Sequence, residues 1–472
     1  MNTDATYVVV LDVGSSRLLG CLACRQEDKW RILASERRDI DTEIRRGVIQ
    51  KIAEVGNLIR EVVDALAGNE VCPCRIDEVY VGLNAYTMQS LFTQSQLELD
   101  AQRVVDDQAL EELWAEALGA ALPEDKDVIA HFVQNYVVDG FNTNNPVGER
   151  PRKLAGQYKM VVCRSQITRN LEDAFTVAGV NYRQKLGILA SAEAVLTPED
   201  KDKGVVALDF GAETIGICIW QGSVVRHLSV LPFGGCNITR DLTQTGMSMA
   251  EAEALKCKDG TALHYTELML RANKNNGKRL DFEPGEKQFN EIIVARIEEM
   301  VENIWAQIRY SVGTPSLLGA GIVITGGASR LNDLDVLLQH KTGLSVRRGD
   351  MLSKVTDTSS NFVTPEYAQC VGLLLLSDGP SAEPVEAPEP EEKVQTDLFG
   401  EKVEEEERKG WGRRKSREEK PRKHREVEKP REPEPDRDSA PAEEGKAKSK
   451  NKRFGGIGDL FGKITDVMDD SM

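Results

Sequence analysis

One pattern occurs twice in this chain and constrains its fold more than any other feature. Val8-Val9-Val10-Leu11-Asp12-Val13-Gly14 and Val205-Val206-Ala207-Leu208-Asp209-Phe210-Gly211 both read V-V-x-L-D-x-G. A short apolar run closed by Asp-x-Gly is a buried strand ending in a tight turn. Each copy is followed by a second apolar run, residues 18–24 and 215–220, and then by a third, residues 30–36 and 223–230. The repeat therefore predicts two copies of a three-stranded meander, a duplicated domain.

The turns carry chemistry. Gly14 and Gly211 allow a tight bend that brings backbone N–H groups up to a phosphate. Ser15, Ser16 and Thr214 add hydroxyl donors. Asp12 and Asp209 are expected to face each other across a cleft between two lobes. There they would hold the waters around a Mg2+ ion that neutralises the phosphates. A third turn, Thr325-Gly326-Gly327-Ala328-Ser329-Arg330, follows an apolar run and precedes a helix start at Asn332 or Asp333. A flat Gly-Gly turn lets a planar base or an α-phosphate lie against the backbone. Singly, these turns compete with ordinary hairpin and strand-to-helix turns; the two matched copies favour nucleotide.

Charge and cysteine usage narrow the class. The 472 residues carry a formal net charge of -17, which disfavours nucleic acid as a partner and confines any anionic surface contact to local basic clusters. Nine cysteines, an odd count without a regular framework, fit a reducing cytoplasm. Cys21-x-x-Cys24 and Cys72-x-Cys74 have a zinc-like look, but the first lies in a strand-like run where small packed side chains are the simpler reading. No signal peptide is visible, and no apolar stretch approaches the roughly 18–20 residues of a spanning helix.

Residues 1 to about 378 alternate apolar runs with Gly, Pro and Asp turns, as an α/β protein does. From Ser381 to Lys450 the chain is Glu, Lys, Arg and Pro with almost no apolar residue, so a disordered, fairly extended tether is expected. Periodicity returns at the end. Phe454, Ile457, Leu460, Phe461, Ile464, Val467 and Met468 fall within an arc of about 140° on a helix. Residues 446–453 just before them are a compact basic cluster. This predicts a surface-lying anchor, its apolar face among acyl chains and its basic flank on anionic lipid head groups. The competing reading is a helix that docks on the body or on a partner protein.

The three glycine turns, in this order, resemble the two phosphate motifs and the adenosine motif of the actin/Hsp70/hexokinase superfamily. Residues 189–196, around Glu193, look like its first connecting helix, and residues 364–374 like its second. Phe233-Gly234-Gly235 through Asp241, followed by Ala252-Glu253-Ala254-Leu255-Lys256, resembles the segment whose Glu and Lys meet ribose and base. With the tether and terminal helix, the set resembles the FtsA family of bacterial cell-division proteins. A compact insert after Val79, read as strand–helix–strand–strand, resembles that family's own subdomain.

The resemblance implies an α/β, two-lobed actin-like fold built from duplicated ribonuclease-H-like domains. The expected layout is lobe I in 1–82 and 166–203, the insert in 83–165, and lobe II in 204–362. A connecting helix would span 363–378, a linker 379–450 and the amphipathic helix 451–472. It further implies ATP with Mg2+, a filament of identical subunits on the cytoplasmic face of the cell membrane at the septum, and binding of the tubulin-like division protein FtsZ. Recruitment of later divisome membrane proteins follows from the same resemblance. The expected nucleotide residues are Asp12, Gly14, Ser15, Ser16, Arg17, Asp209, Gly211, Ala212, Glu213, Thr214, Glu253, Lys256, Gly326, Gly327, Ala328 and Arg330, with Asp12 and Asp209 at the metal.

Glu193 stands where hydrolysing relatives orient the attacking water, so at most a slow ATPase is expected. The second phosphate turn departs from the family pattern: Glu213 brings negative charge to a place for phosphates, and Ile215 removes a hydroxyl. Alternatives are a small-molecule kinase of the same superfamily and a pilus-assembly-type scaffold that has lost nucleotide binding.

Overall fold

The computed structural model describes residues 6–26, 29–100, 103–269, 284–351, 355–356 and 364–384. The two repeated segments are the strands Thr6–Val13 and Val205–Phe210. Val8 to Leu11 and Val205 to Leu208 are all buried, as continuous apolar strands are when both faces of the sheet are covered. Each opens an antiparallel meander. In lobe I it runs through Arg17–Gln26 and Lys29–Asp39; in lobe II through Ile215–Gln221 and Val224–Leu231.

On its other side each leading strand is followed by two further strands, each parallel to the one before it. These are Glu78–Leu83 and Asn181–Leu186 in lobe I, and Gly321–Thr325 and Val346–Arg348 in lobe II. Both lobes therefore repeat one strand order, third-second-first-fourth-fifth. This is the duplicated α/β architecture of the actin-like fold.

Helices cover the sheets where the sequence periodicity places their apolar stripes. In Ile52–Ala67 the buried residues Val55, Ile59, Val62, Val63 and Leu66 recur at helical spacing. That helix lies so close to lobe I that a Cβ on Gly20 would come 2.9 Å from Leu66. The helices Gly187–Val195 and Ala368–Leu375 are buried almost all round and pack on each other, the first against strands of both lobes and the second against lobe I. A Cβ at Gly372 would overlap the carbonyl of Ala190, so this crossing requires glycine.

The segment from Val79 divides: Glu78–Leu83 belongs to lobe I, and the insert begins with the strand Gln89–Glu98. The helix Asp107–Ala121 follows, capped by the Asp106 carboxylate, which accepts from the Ala109 N–H at 2.9 Å. The strands Lys126–Val138, Phe141–Thr143 and Lys153–Arg164 complete it. Its sheet does not extend lobe I, from whose sequence it emerges. It continues the lobe II sheet through the Ser229–Gln89 pairing, giving nine strands in one sheet. Across this seam the buried His227 ring lies between the hydroxyls of Ser90 (3.1 Å) and Ser229 (3.0 Å).

Two late segments return to lobe I. Val355–Thr356 pairs with Lys29–Asp39, although residues 204–362 were expected in lobe II. Ala382–Pro384 pairs with Thr6–Val13 and with Cys74–Ile76, so the body extends beyond residue 379, where the linker was expected to start. The physical reason is Ser381: it is buried, its hydroxyl accepts from the Val9 N–H at 2.8 Å, and its own N–H donates to the Tyr7 carbonyl at 2.9 Å. The tether from residue 385 and the amphipathic segment with Phe454, Ile457, Leu460, Phe461, Ile464 and Val467 lie outside the described residues. Among the described residues, no helix is long and apolar enough to cross a membrane.

Candidate functional site

The two Asp-x-Gly turns close in the same way. The Gly14 N–H donates to the Arg17 carbonyl at 3.0 Å, and the Gly211 N–H donates to the Thr214 carbonyl at 2.9 Å. Each turn thus spans the same three-residue interval at the end of its lobe's leading strand. The N-terminus of the helix Gly235–Thr243 supports the second: the Gly235 N–H donates to the Gly211 carbonyl (3.0 Å) and the Cys236 N–H to the Ala212 carbonyl (2.8 Å). The Ser15 hydroxyl accepts from the Gly47 N–H at 2.9 Å, while Ser16 is exposed.

Asp12 and Asp209 come within electrostatic reach of each other. Burial raises the Asp12 carboxyl to about 6; the Arg17 guanidinium opposes this, and the neighbouring Asp209 adds to it. Burial also raises Asp209, against the hydrogen bond from the Ser191 hydroxyl (2.6 Å) and the Arg17 charge. Asp12 accepts a 2.6 Å hydrogen bond from the Gln369 side chain. Gln369 and Ser191 come from the two crossing helices, so each helix holds one aspartate.

Arg17 is held by a residue 349 positions later in the sequence. Its guanidinium donates to the Glu366 carboxylate (3.2 Å) and to the Glu366 carbonyl (2.6 Å). The expected phosphate cation is therefore also a tie between the first turn and the approach to the second connecting helix.

The third turn completes the arrangement. Gly326 has φ +86°, and a Cβ there would overlap the Asp209 carboxylate, so glycine is required for the close approach. Its N–H donates to the Pro365 carbonyl at 3.1 Å. The next residues, Gly327–Arg330, form one 3-10 turn, and the helix Leu334–Thr342 begins after Asp333, close to the expected start. A Cβ on Gly235 would stand 3.1 Å from Ala328 and 3.3 Å from Lys256 Nζ, so these groups share one small region. The Lys256 ammonium donates to the Gly235 carbonyl (3.1 Å), the Thr239 hydroxyl (3.0 Å) and Glu253 (2.7 Å). Gly327 and Arg330 are exposed.

Two residues sit differently from their sequence roles. The Glu193 carboxylate receives the Lys201 ammonium at 2.6 Å on both oxygens, and that ammonium lies 4.6 Å from the centre of the Trp220 ring. Trp220 pairs with Val205, at the opposite end of the strand from Asp209. Ser191, two residues earlier on the same helix, is the one that meets the aspartate.

Glu213 is buried and points toward lobe I. It accepts from the Arg46 N–H at 2.8 Å, pairs with the Arg240 guanidinium, and has the Arg45 guanidinium at 3.9 Å. Among the described residues, no group of three or more His, Cys, Asp or Glu side chains is placed to hold a metal ion.

Sequence reasoning missed Ser191, Arg240, Glu366 and Gln369. Gln369 left one signal: a polar residue inside the apolar run Ala368–Leu375. The others are ordinary polar residues until folding brings them to the turns.

The family model for the cell division protein FtsA matches residues 206–372. Curated FtsA proteins match along most of their length. That of Neisseria meningitidis serogroup B is 27% identical over 382 residues, covering 79% of this chain and 91% of the relative. That of Porphyromonas gingivalis is 26% identical over 400 residues, 80% of each chain. That of Escherichia coli K12 is 23% identical over 385 residues, covering 79% and 90%. Among solved structures, the PilM–PilN type IV pilus biogenesis complex has a chain with a TM-score of 0.53 at 16% identity, covering 78% of this chain and 98% of that one, which speaks for the fold. The resemblance to the FtsA family therefore extends across the whole body and is not limited to the glycine turns.

Proposed function

We propose that this FtsA-like chain binds ATP between its lobes, polymerises on the cytoplasmic face of the cell membrane, and ties FtsZ filaments to that membrane during division. The observation that carries the nucleotide part is the matched pair of turns. Gly14 and Gly211 close identical intervals, and Asp12 and Asp209 meet beside Arg17. Backbone N–H groups of these turns would bind phosphate oxygens, and the region of Gly235, Lys256, Gly326 and Ala328 would take the nucleoside.

The two carboxylates fit Mg2+. Both are raised by burial, and their mutual repulsion is of the kind a divalent cation relieves. Such an ion would neutralise phosphate charge, held by Asp12 and Asp209 through its waters. The chain's own part is to orient the phosphates and to couple their presence to lobe closure through the helices that carry Ser191 and Gln369. Glu193 is engaged by Lys201, which favours a slow switch over an efficient kinase with a free carboxylate base.

The terminal segment supplies attachment. One weak anchor per subunit becomes firm when subunits line up, because the anchors then act together. Recruitment of later divisome proteins would follow from a filament held at the septum.

Titration with MgATP tests the cleft: micromolar binding by the wild type, lost in Asp209→Asn, is expected, and equal binding by both removes the cleft assignment. Deleting Phe454 to Met472 should abolish sedimentation with vesicles containing anionic lipid and leave MgATP binding intact. Unchanged sedimentation removes the anchor.

A further inference from the structure

Glu213 stands on the second phosphate turn, yet its carboxylate occupies donors that suit a phosphate. They are a backbone N–H on a tight turn and two guanidinium groups. The N–H belongs to Arg46, which with Gly47 forms the two-residue turn of the hairpin Ile44–Arg45 and Val48–Ile49. Both turn residues have positive φ, +52° and +75°. A non-glycine residue seldom adopts that conformation unless its surroundings hold it there. Three contacts do so: the N–H bond to Glu213, the Tyr86 N–H donating to the Arg46 carbonyl at 3.0 Å, and the Arg46 guanidinium 5.9 Å from the centre of the Tyr86 ring. The neighbouring Gly47 N–H is taken by the Ser15 hydroxyl. The hairpin turn thus binds the tips of both phosphate turns at once.

Charge sharpens the point. At this end of the cleft stand four carboxylates, Asp12, Asp209, Glu213 and Glu366. Arg17, Arg45 and Arg240 face them, and the Arg330 charge also acts on Glu366. Arg17 is engaged by Glu366, and Arg240 by Glu213. A further dianionic group placed here would have to displace Glu213 from its donors or do without them.

We infer that Glu213 is a specificity-determining residue: an internal anion that competes with the terminal phosphate of a nucleoside triphosphate, so that the cleft favours a nucleoside diphosphate. The inference rests on the nucleotide reading of the cleft. With the nucleoside near Lys256 and Ala328, the terminal phosphate is the one that reaches the hairpin. The diphosphate stops short of it and leaves the Glu213 contacts whole. Because those contacts join lobe II to lobe I, the same carboxylate closes the phosphate end without a triphosphate.

The test compares MgADP with the magnesium complex of a non-hydrolysable ATP analogue, titrated into the full-length wild type, Glu213→Gln and Glu213→Gly. Thermal unfolding without nucleotide checks that each variant folds. The wild type should bind the diphosphate more tightly. Glu213→Gly should gain about tenfold for the triphosphate analogue, the scale of a charge-assisted hydrogen bond, with little change for the diphosphate. Glu213→Gln, which keeps shape but not charge, should fall between them. Adding Arg240→Ala to Glu213→Gly should remove the gain.

If Glu213 were only a structural ion-pair partner, its variants would unfold at lower temperature and the ratio of the two affinities would be unchanged in every one. That result overturns the inference and leaves the cleft reading standing. Absence of binding of either nucleotide to any folded variant overturns both.

Discussion

The Gln369 side chain donates a 2.6 Å hydrogen bond to Asp12, joining residues 357 positions apart. Gln369 is buried where a Cβ on Gly82 or on Gly187 would strike it. The helix Ala368–Leu375 therefore touches the carboxylate of the first Asp-x-Gly turn directly. Gln369→Met keeps most of the volume and removes the donor; Gln369→Ala removes both. Both variants should lose about 1–3 kcal/mol of stability in denaturant unfolding, with the alanine the worse by its cavity. Both should also bind nucleotide more weakly, because Asp12 loses its orienting partner. Unchanged affinity in Gln369→Met would reduce Gln369 to a packing residue.

The Asp12 carboxyl sets a pH dependence whose sign is fixed. Its folded value of about 6 lies above its ordinary value of 3.8. The stability tied to the protonated form is fully present below about 3.8 and is lost as pH rises through about 6, a change of about 3 kcal/mol. Asp12→Asn should therefore raise the melting temperature of the nucleotide-free protein at pH 8 while weakening MgATP binding. The wild type's MgATP affinity should climb between pH 5 and 7 as the carboxylate ionises. A melting temperature lowered by Asp12→Asn at pH 8 would show that the charge is already compensated.

The sequence exposes the features that are local or periodic. The two V-V-x-L-D-x-G strands, their meanders and the Gly326 turn follow from runs of a few residues, where burial and glycine geometry leave few options. The features it hides depend on where distant segments land. Ala382–Pro384 enters the lobe I sheet beside strands hundreds of residues earlier, although its own composition reads as linker. The insert departs from lobe I in sequence, yet its edge strand meets Ser229 of lobe II. Glu193 and Ser191 are two residues apart on one helix, and only the direction of each side chain decides which meets Asp209 and which meets Lys201. Glu213 shows the same limit: its identity signals a conflict with phosphate, but only the position of Arg46 shows where its charge goes.

Gly372 sets the distance between the two connecting helices. A Cβ there would overlap the Ala190 carbonyl, which is backbone and cannot rotate away. Gly372→Ala should push the helices apart and cost about 3 kcal/mol, the upper range for overpacking. Since the helices carry Ser191 and Gln369, nucleotide affinity should fall along with stability. Gly140, with open space around it, provides the control: although its φ of +94° is strained for any side chain, Gly140→Ala should leave nucleotide affinity unchanged. Equal affinity losses in the two variants would contradict a role for this helix crossing in nucleotide binding.

The seam between the insert and lobe II contains its own titrating group. Burial, with the Lys159 ammonium nearby, lowers His227 to about 4 from its ordinary 6.5. The folded protein therefore binds fewer protons here than the unfolded chain does. The stability tied to the neutral ring is present above about 6.5 and is lost as pH falls through about 4, a change of about 3 kcal/mol. This runs opposite to Asp12, so the contribution must be read as a difference between variants. His227→Asn lacks the titration. Its stability relative to wild type should improve as pH drops from 7 to 4.5, measured by denaturant unfolding at each pH. The seam includes Ser90, Ser229 and the Gln134 amide, which donates to the Val225 carbonyl at 2.9 Å. Proteolysis between residues 84 and 90 should therefore accelerate in the wild type at the acid end and stay flat in the variant. A constant difference across that range would mean that the ring titrates in the fold as it does in the unfolded chain, and that the seam does not depend on its neutrality.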